Sequence, residues 1–186
     1  MKPVALIALF IGAAIGLYFP DIDRSFPFLL HRSGITHSVL IPFAVLWLTR
    51  EQRPEWLRAG LIGVSLTLAV HLSFDLFPVL WMGYGLISLP VLGQLNGTLS
   101  MLWAAANMVG CVYLALSLMN ARSELTVAAV ISAAAFMLAS QTERVFWSAL
   151  IVLLAAWFAA SCLPNNVVRG QTIARTVRQW RVPQRP

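Results

Sequence analysis

Six apolar runs dominate this sequence and restrict what it can become; they fall at 3–19, 34–49, 57–79, 98–119, 124–140 and 145–163. A helix needs roughly 17–25 mainly apolar residues to cross about 30 Å of hydrocarbon. Lipid offers no hydrogen-bond partners, so a crossing chain must satisfy its backbone internally, as a helix does. The expected fold is therefore all-α, a polytopic transmembrane helical bundle of about six spans over residues 1–163. Composition excludes the water-soluble classes, since only 11% of residues are charged where a soluble domain carries about 25%. Two cysteines exclude a disulfide scaffold, and Cys111 and Cys162 sit in apolar runs where an unpaired thiol acts as a small hydrophobe.

The breaks between runs carry the turn and charge signals: Pro20 before an Asp pair, Arg50 to Glu55, Asn120 to Glu124, and Gln141 to Arg144. Lys2 ahead of the first run also has the look of a signal peptide. No good Ala-x-Ala cleavage site follows, and Gly12-Ala13-Ala14-Ile15-Gly16 is a small-xxx-small pattern that favours a retained, closely packed span. With the N-terminus inside, the inner connections and tail hold ten basic residues, and the outer ones only Arg24, Arg32 and Arg144. The positive-inside rule then places both termini in the cytoplasm of a multi-pass protein. Residues 164–186 form a basic cytoplasmic tail with five Arg residues, either an interfacial helix or a solvated segment, suited to anionic lipid headgroups. The expected partners are thus the lipid bilayer and those headgroups; nucleic acid is not expected, because the net charge of +6 is concentrated in this tail.

All three histidines and three of the seven acids lie between positions 21 and 75. They form three clusters: Asp21 with Asp23, His31 with His37, and His71 with Asp75. The other acids, Glu51, Glu55, Glu124 and Glu143, sit at run ends near Arg, where solvated pairing accounts for them. His71 and Asp75 are four apart on one helix face, about 6 Å along the axis, inside an apolar run. An ionisable group in hydrocarbon is costly and faces a cavity or a partner; a private His–Asp bond between helices would serve as well as a ligand pair.

The Arg count places Asp21, Asp23, His31 and the start of the second span outside. Counting upward from Leu57, His71 lies about 21 Å and Asp75 about 27 Å into the membrane, in its outer part. All three clusters therefore meet at one membrane face, near the extracytoplasmic surface. Imidazole nitrogen and carboxylate oxygen together suit a divalent metal: zinc first, with manganese or iron as alternatives. Six candidate ligands exceed the needs of one catalytic zinc, so either two ions bind or some of the six support the others. Such an ion makes hydrolysis the natural reaction class. Arg24 and Arg32 are candidate substrate contacts for phosphate or carboxylate, or else snorkel to headgroups. Thr36 and Ser38 read as capping or supporting residues.

The segments Phe19-Pro20-Asp21-Ile22-Asp23, His31-Arg32-Ser33-Gly34-Ile35-Thr36-His37-Ser38 and His71-Leu72-Ser73-Phe74-Asp75 resemble the bacterial inner-membrane metal-dependent hydrolases known as YdjM-like, or LexA-regulated. The resemblance covers about residues 15–90. It implies a hydrolase in which Asp21, Asp23, His31, His37, His71 and Asp75 are the metal ligands or their close supports. Two other classes remain open: a metal or proton transporter, for which the later spans offer few ionisable groups, and an accessory subunit of a larger membrane-protein complex.

Overall fold

The computed structural model describes residues 2–25, 32–49, 51–52, 54–90, 92–141 and 145–163; His31 and the basic tail 164–186 lie outside the described residues, and of Arg24 only the backbone is described. Among the described residues the chain is mostly helical, with six α-helices: α1 (Pro3–Tyr18), α2 (Leu40–Leu48), α3 (Glu55–Asp75), α4 (Gly97–Leu118), α5 (Arg122–Ala139) and α6 (Phe146–Cys162). Each of the six expected runs overlaps one of them. By length and composition α3 and α4 can cross a membrane, while α1, α5 and α6 are apolar but shorter. Strand is confined to a small antiparallel pair, β1 (Ser88–Leu89) with β2 (Gly93–Gln94).

Local chemistry sets the helix ends. Pro3 opens α1, where its missing N–H costs nothing, and Asn96 caps α4 by accepting the Leu99 N–H at 2.9 Å. The third helix stops at Asp75, short of the expected residue 79, with Pro78 just beyond its end. The second differs more: a helix was expected over 34–49, but α2 begins at Leu40. Residues 33–39 make turns because Ser33, Thr36 and Ser38 bond to nearby backbone instead of extending the helix.

The core is organised around α3, which packs on α1, α4, α5 and α6. Its contact with α1 is parallel and unusually close. A Cβ added at Gly12 would stand 2.1 Å from the Gly60 carbonyl oxygen, one at Gly16 2.2 Å from that of Val64, and one at Gly63 2.2 Å from that of Leu9. Removing side chains at these points lets the two backbones touch, as small residues do between membrane helices. Thr67 Oγ1 then donates across the seam to the Ala13 carbonyl at 2.7 Å. One turn further along both helices, His71 Nδ1 meets the Leu17 carbonyl at 3.0 Å. The packing register that the glycines set thus carries straight into the polar cluster.

Candidate metal centre

Three stretches build the cluster at one end of the bundle: the 3-10 turn Pro20–Ser25, the turns of residues 32–39, and the last turn of α3. Asp23 is 1% exposed, and its Oδ2 accepts the Ser33 N–H at 2.9 Å, with the Thr36 hydroxyl at 3.5 Å. This carboxylate pins the 32–39 segment to the end of α1. The segment is tied on its other side to the connection between α3 and α4, where Gly34 N–H donates to Ser88 at 2.7 Å and Ser88 N–H to Arg32 at 3.0 Å. The Val39 N–H donates to Asn107 Oδ1 at 2.9 Å, which anchors the start of α2 on α4. Irregular backbone with its polar groups so matched is tolerable deep in a bundle.

His37, His71 and Asp75 converge. Asp75 Oδ2 lies 3.4 Å from His37 Nε2 and 3.3 Å from His71 Nε2, the two rings are 5.4 Å apart, and one donor atom from each residue falls within 4.8 Å of the others. None of these three buried atoms has a hydrogen-bond partner. His71 Nδ1 faces the Leu17 carbonyl, which can only accept, so Nδ1 carries a proton and the neutral ring has its lone pair on Nε2. His37 Nδ1 lies 3.2 Å from the Ser33 carbonyl and 3.0 Å from Thr36 Oγ1, which fixes the same tautomer. Two nitrogen lone pairs and a carboxylate oxygen therefore point at one small volume, where they repel unless a cation or a proton lies between them.

The donor set fits a metal. In a tetrahedral site with arms of about 2.0–2.1 Å, the donors are about 3.3–3.4 Å apart, which matches the two separations made by Asp75 Oδ2. Ligating histidines also characteristically donate their other N–H to a carbonyl or carboxylate, as both rings do here. His37 is fully buried, whereas the side chains of His71 and Asp75 keep 14% and 15% of their surface exposed. The part of the trio that reaches the surface is therefore the His71 and Asp75 side chains, while the three converging atoms themselves are buried.

Of the remaining candidates, Asp21, Asp23 and Arg32 belong to the described stretches around this trio. Asp23 Oδ2 stands 3.6 Å from His37 Nδ1, behind the ring and away from the convergence point. Asp21 sits in the same 3-10 turn as Asp23. Arg32, read from the sequence as a substrate contact, donates from Nη2 to Asp75 Oδ1 at 2.7 Å and from Nη1 to the carbonyls of Asp75 and Gly85 at 3.2 and 2.9 Å. Thr36 supports both Asp23 and His37, as its place in the motif led one to expect. The contributions of the Leu17, Ser33 and Gly85 carbonyls were not readable beforehand, because a main-chain oxygen leaves no mark in a sequence. No protein-family model, no curated protein and no solved structure matches this chain, so the donor geometry bears the weight of its functional reading.

Proposed function

We propose that this protein is a metal-dependent hydrolase of the bacterial inner membrane, crossing it six times with both termini in the cytoplasm and opening its metal centre near the outer face. The observation that carries the reading is the convergence of three unpartnered donor atoms, His37 Nε2, His71 Nε2 and Asp75 Oδ2. The membrane part is supported by the outward faces of the bundle, where Ile7, Phe10, Ile11, Trp147, Ile151 and Phe158 are each more than half exposed. So many exposed large apolar side chains would favour association in water but suit a lipid environment.

Zinc is the ion of choice, because two imidazoles and one carboxylate with a position left open is a catalytic zinc ligand set. A bound divalent ion would supply Lewis acidity, acidifying water and polarising a carbonyl or phosphoryl oxygen. The chain's own groups do the rest. Leu17 and Ser33 hold protons on the Nδ1 atoms, Arg32 directs Asp75, and Asp23 with Thr36 fixes the His37 ring. Nearness to the headgroup layer favours an amphiphilic, phosphoester-like substrate.

The test is elemental analysis of the purified full chain together with hydrolysis assays on phosphoester lipids. Stoichiometric zinc that disappears in Asp75→Ala, along with the activity, is the expected result. A metal-free protein that hydrolyses nothing would defeat the proposal. Metal flux into reconstituted vesicles would support the transporter instead, and stable copurifying membrane partners around an inert site would support the accessory subunit.

A further inference from the structure

Beside the metal centre, α2 stands away from the bundle. Of its nine residues, all apolar, only Pro42 is buried. Between α2 and the α1–α3 seam lies a cavity of about 390 Å³, within the range of small-molecule sites. One wall is the glycine seam of Gly12, Gly16 and Gly60; the other is Ile41 and Val45 of α2. The cavity runs from Trp56 at the start of α3 up to Leu68, about 18 Å at 1.5 Å per residue. At its upper end it reaches Thr36, whose hydroxyl contacts both His37 and Asp23.

We infer that this groove holds the long acyl chain of a membrane lipid whose headgroup lies at the Thr36 end, beside the metal centre, an inference that rests on the hydrolase and membrane readings above. Three features select this occupant. The lining is apolar along its whole course, so a polar ligand or peptide backbone would lose its hydrogen bonds there. The groove is longer than one leaflet's hydrocarbon depth of about 15 Å, which matches a long single chain better than a compact ligand. Thr36 lies at the end next to the cluster, and the other residue with a polar side-chain atom, Trp56, at the far end. Each methylene taken up gains roughly 0.8 kcal/mol of burial only when it leaves water. For a chain already in lipid, selection must therefore come from fit and from the headgroup, and chain length becomes a specificity feature of this site.

The test uses the full chain in phosphatidylglycerol nanodiscs with two photoreactive palmitoyl phospholipids, one carrying a diazirine at the chain end and the other on the headgroup. Labelled residues are mapped by mass spectrometry. The chain-end probe should label the Trp56–Gly60 stretch several-fold more than Trp147 or Phe158, which are 72% and 74% exposed to lipid on α6. The headgroup probe should label residues 32–38. Unlabelled palmitoyl lipid should compete both signals away, and a butyryl analogue should not. Gly60→Leu fills the groove with little strain, since a Cβ there meets only the Ala8 oxygen at 3.5 Å. It should lose the chain-end label while the metal content stays unchanged; Val45→Trp, from the opposite wall, should do the same. Labelling that follows exposure alone, a headgroup probe that misses 32–38, or label retained in both variants would overturn the inference. Because labelling is read without turnover, a groove that holds lipid beside an inert site would defeat the hydrolase reading and leave the groove standing. A metal-loaded, active protein without groove labelling would do the reverse.

Discussion

Arg32 grips Asp75 at two points, donating from Nη2 to Oδ1 at 2.7 Å and from Nη1 to the main-chain carbonyl at 3.2 Å. Oδ1 is thereby occupied, and Oδ2 is left facing the two imidazoles. The guanidinium is held there by a backbone with φ of +56°, in the left-handed region that costs a non-glycine residue about 1–2 kcal/mol. A glycine would relieve that strain, so the side chain is what the site gains from Arg at this position. Arg32→Gly should weaken metal binding about 10–100-fold, the usual effect of removing a ligand's support, with the backbone strain relieved. Arg32→Lys should recover only part, because an ammonium lacks the planar fork. Isothermal titration with zinc checks both; unchanged affinity in Arg32→Gly would strip the residue of this role.

Metal removal should destabilise the protein by a predictable amount. Three electron-rich atoms face one another at 3.3–3.4 Å through Asp75 Oδ2, and an ion binding only the folded state adds about 2.7 kcal/mol at a hundredfold excess over its Kd. Thermal unfolding in detergent should therefore shift upward with zinc and fall back with chelator. In His71→Ala the response to zinc should vanish. A wild-type melting curve indifferent to both additions would contradict a metal centre of any kind.

The helices were legible in the sequence because long apolar runs bounded by Pro, Asn and charged breaks leave few alternatives. Each of the six runs overlaps one of the six helices, and Asp21, Asp23, His37, His71 and Asp75 lie at one end of the bundle, where the ends of α1 and α3 meet the turns of residues 32–39. What could not be read was the division of labour within the cluster. Six residues share the right chemistry, but among the described ones only His37, His71 and Asp75 bring donor atoms to one point; Asp23 binds the Ser33 N–H instead. His31 lies outside the described residues. The start of α2 was misplaced for a related reason: the apolar run said helix, while Ser33, Thr36 and Ser38 diverted the backbone to the site.

The glycine seam gives a third prediction. Gly12→Leu would drive a Cβ to within 2.1 Å of the Gly60 oxygen, forcing α1 away from α3. Overpacking of this kind costs about 1–3 kcal/mol, and it should also displace the Leu17 carbonyl from His71. Unfolding by denaturing detergent should show the loss of stability, and zinc titration a weakened site. Thr67→Val tests the same seam more gently. It deletes the 2.7 Å bond to Ala13 and should cost about 0.6 kcal/mol, the average for such bonds between membrane helices, with metal binding retained.

At the opposite end of the bundle, Arg58 forms a paired contact with Glu124, Nη1 to Oε2 at 2.9 Å and Nη2 to Oε1 at 2.7 Å. Nη1 also caps the end of α4 by donating to the Leu118 carbonyl at 2.8 Å. Both side chains are largely buried, 13% and 11% exposed, so removing one partner leaves the other charge stranded. Glu124→Ala should cost about 3 kcal/mol, while the double change Arg58→Met with Glu124→Leu should recover much of that loss. Because the clasp joins α3, α4 and α5 far from Asp75, zinc affinity of the folded double variant should equal that of the wild type. Detergent unfolding and zinc titration on the same samples separate the two effects. A double variant that stayed stable but lost its zinc would mean that the two ends of α3 are coupled.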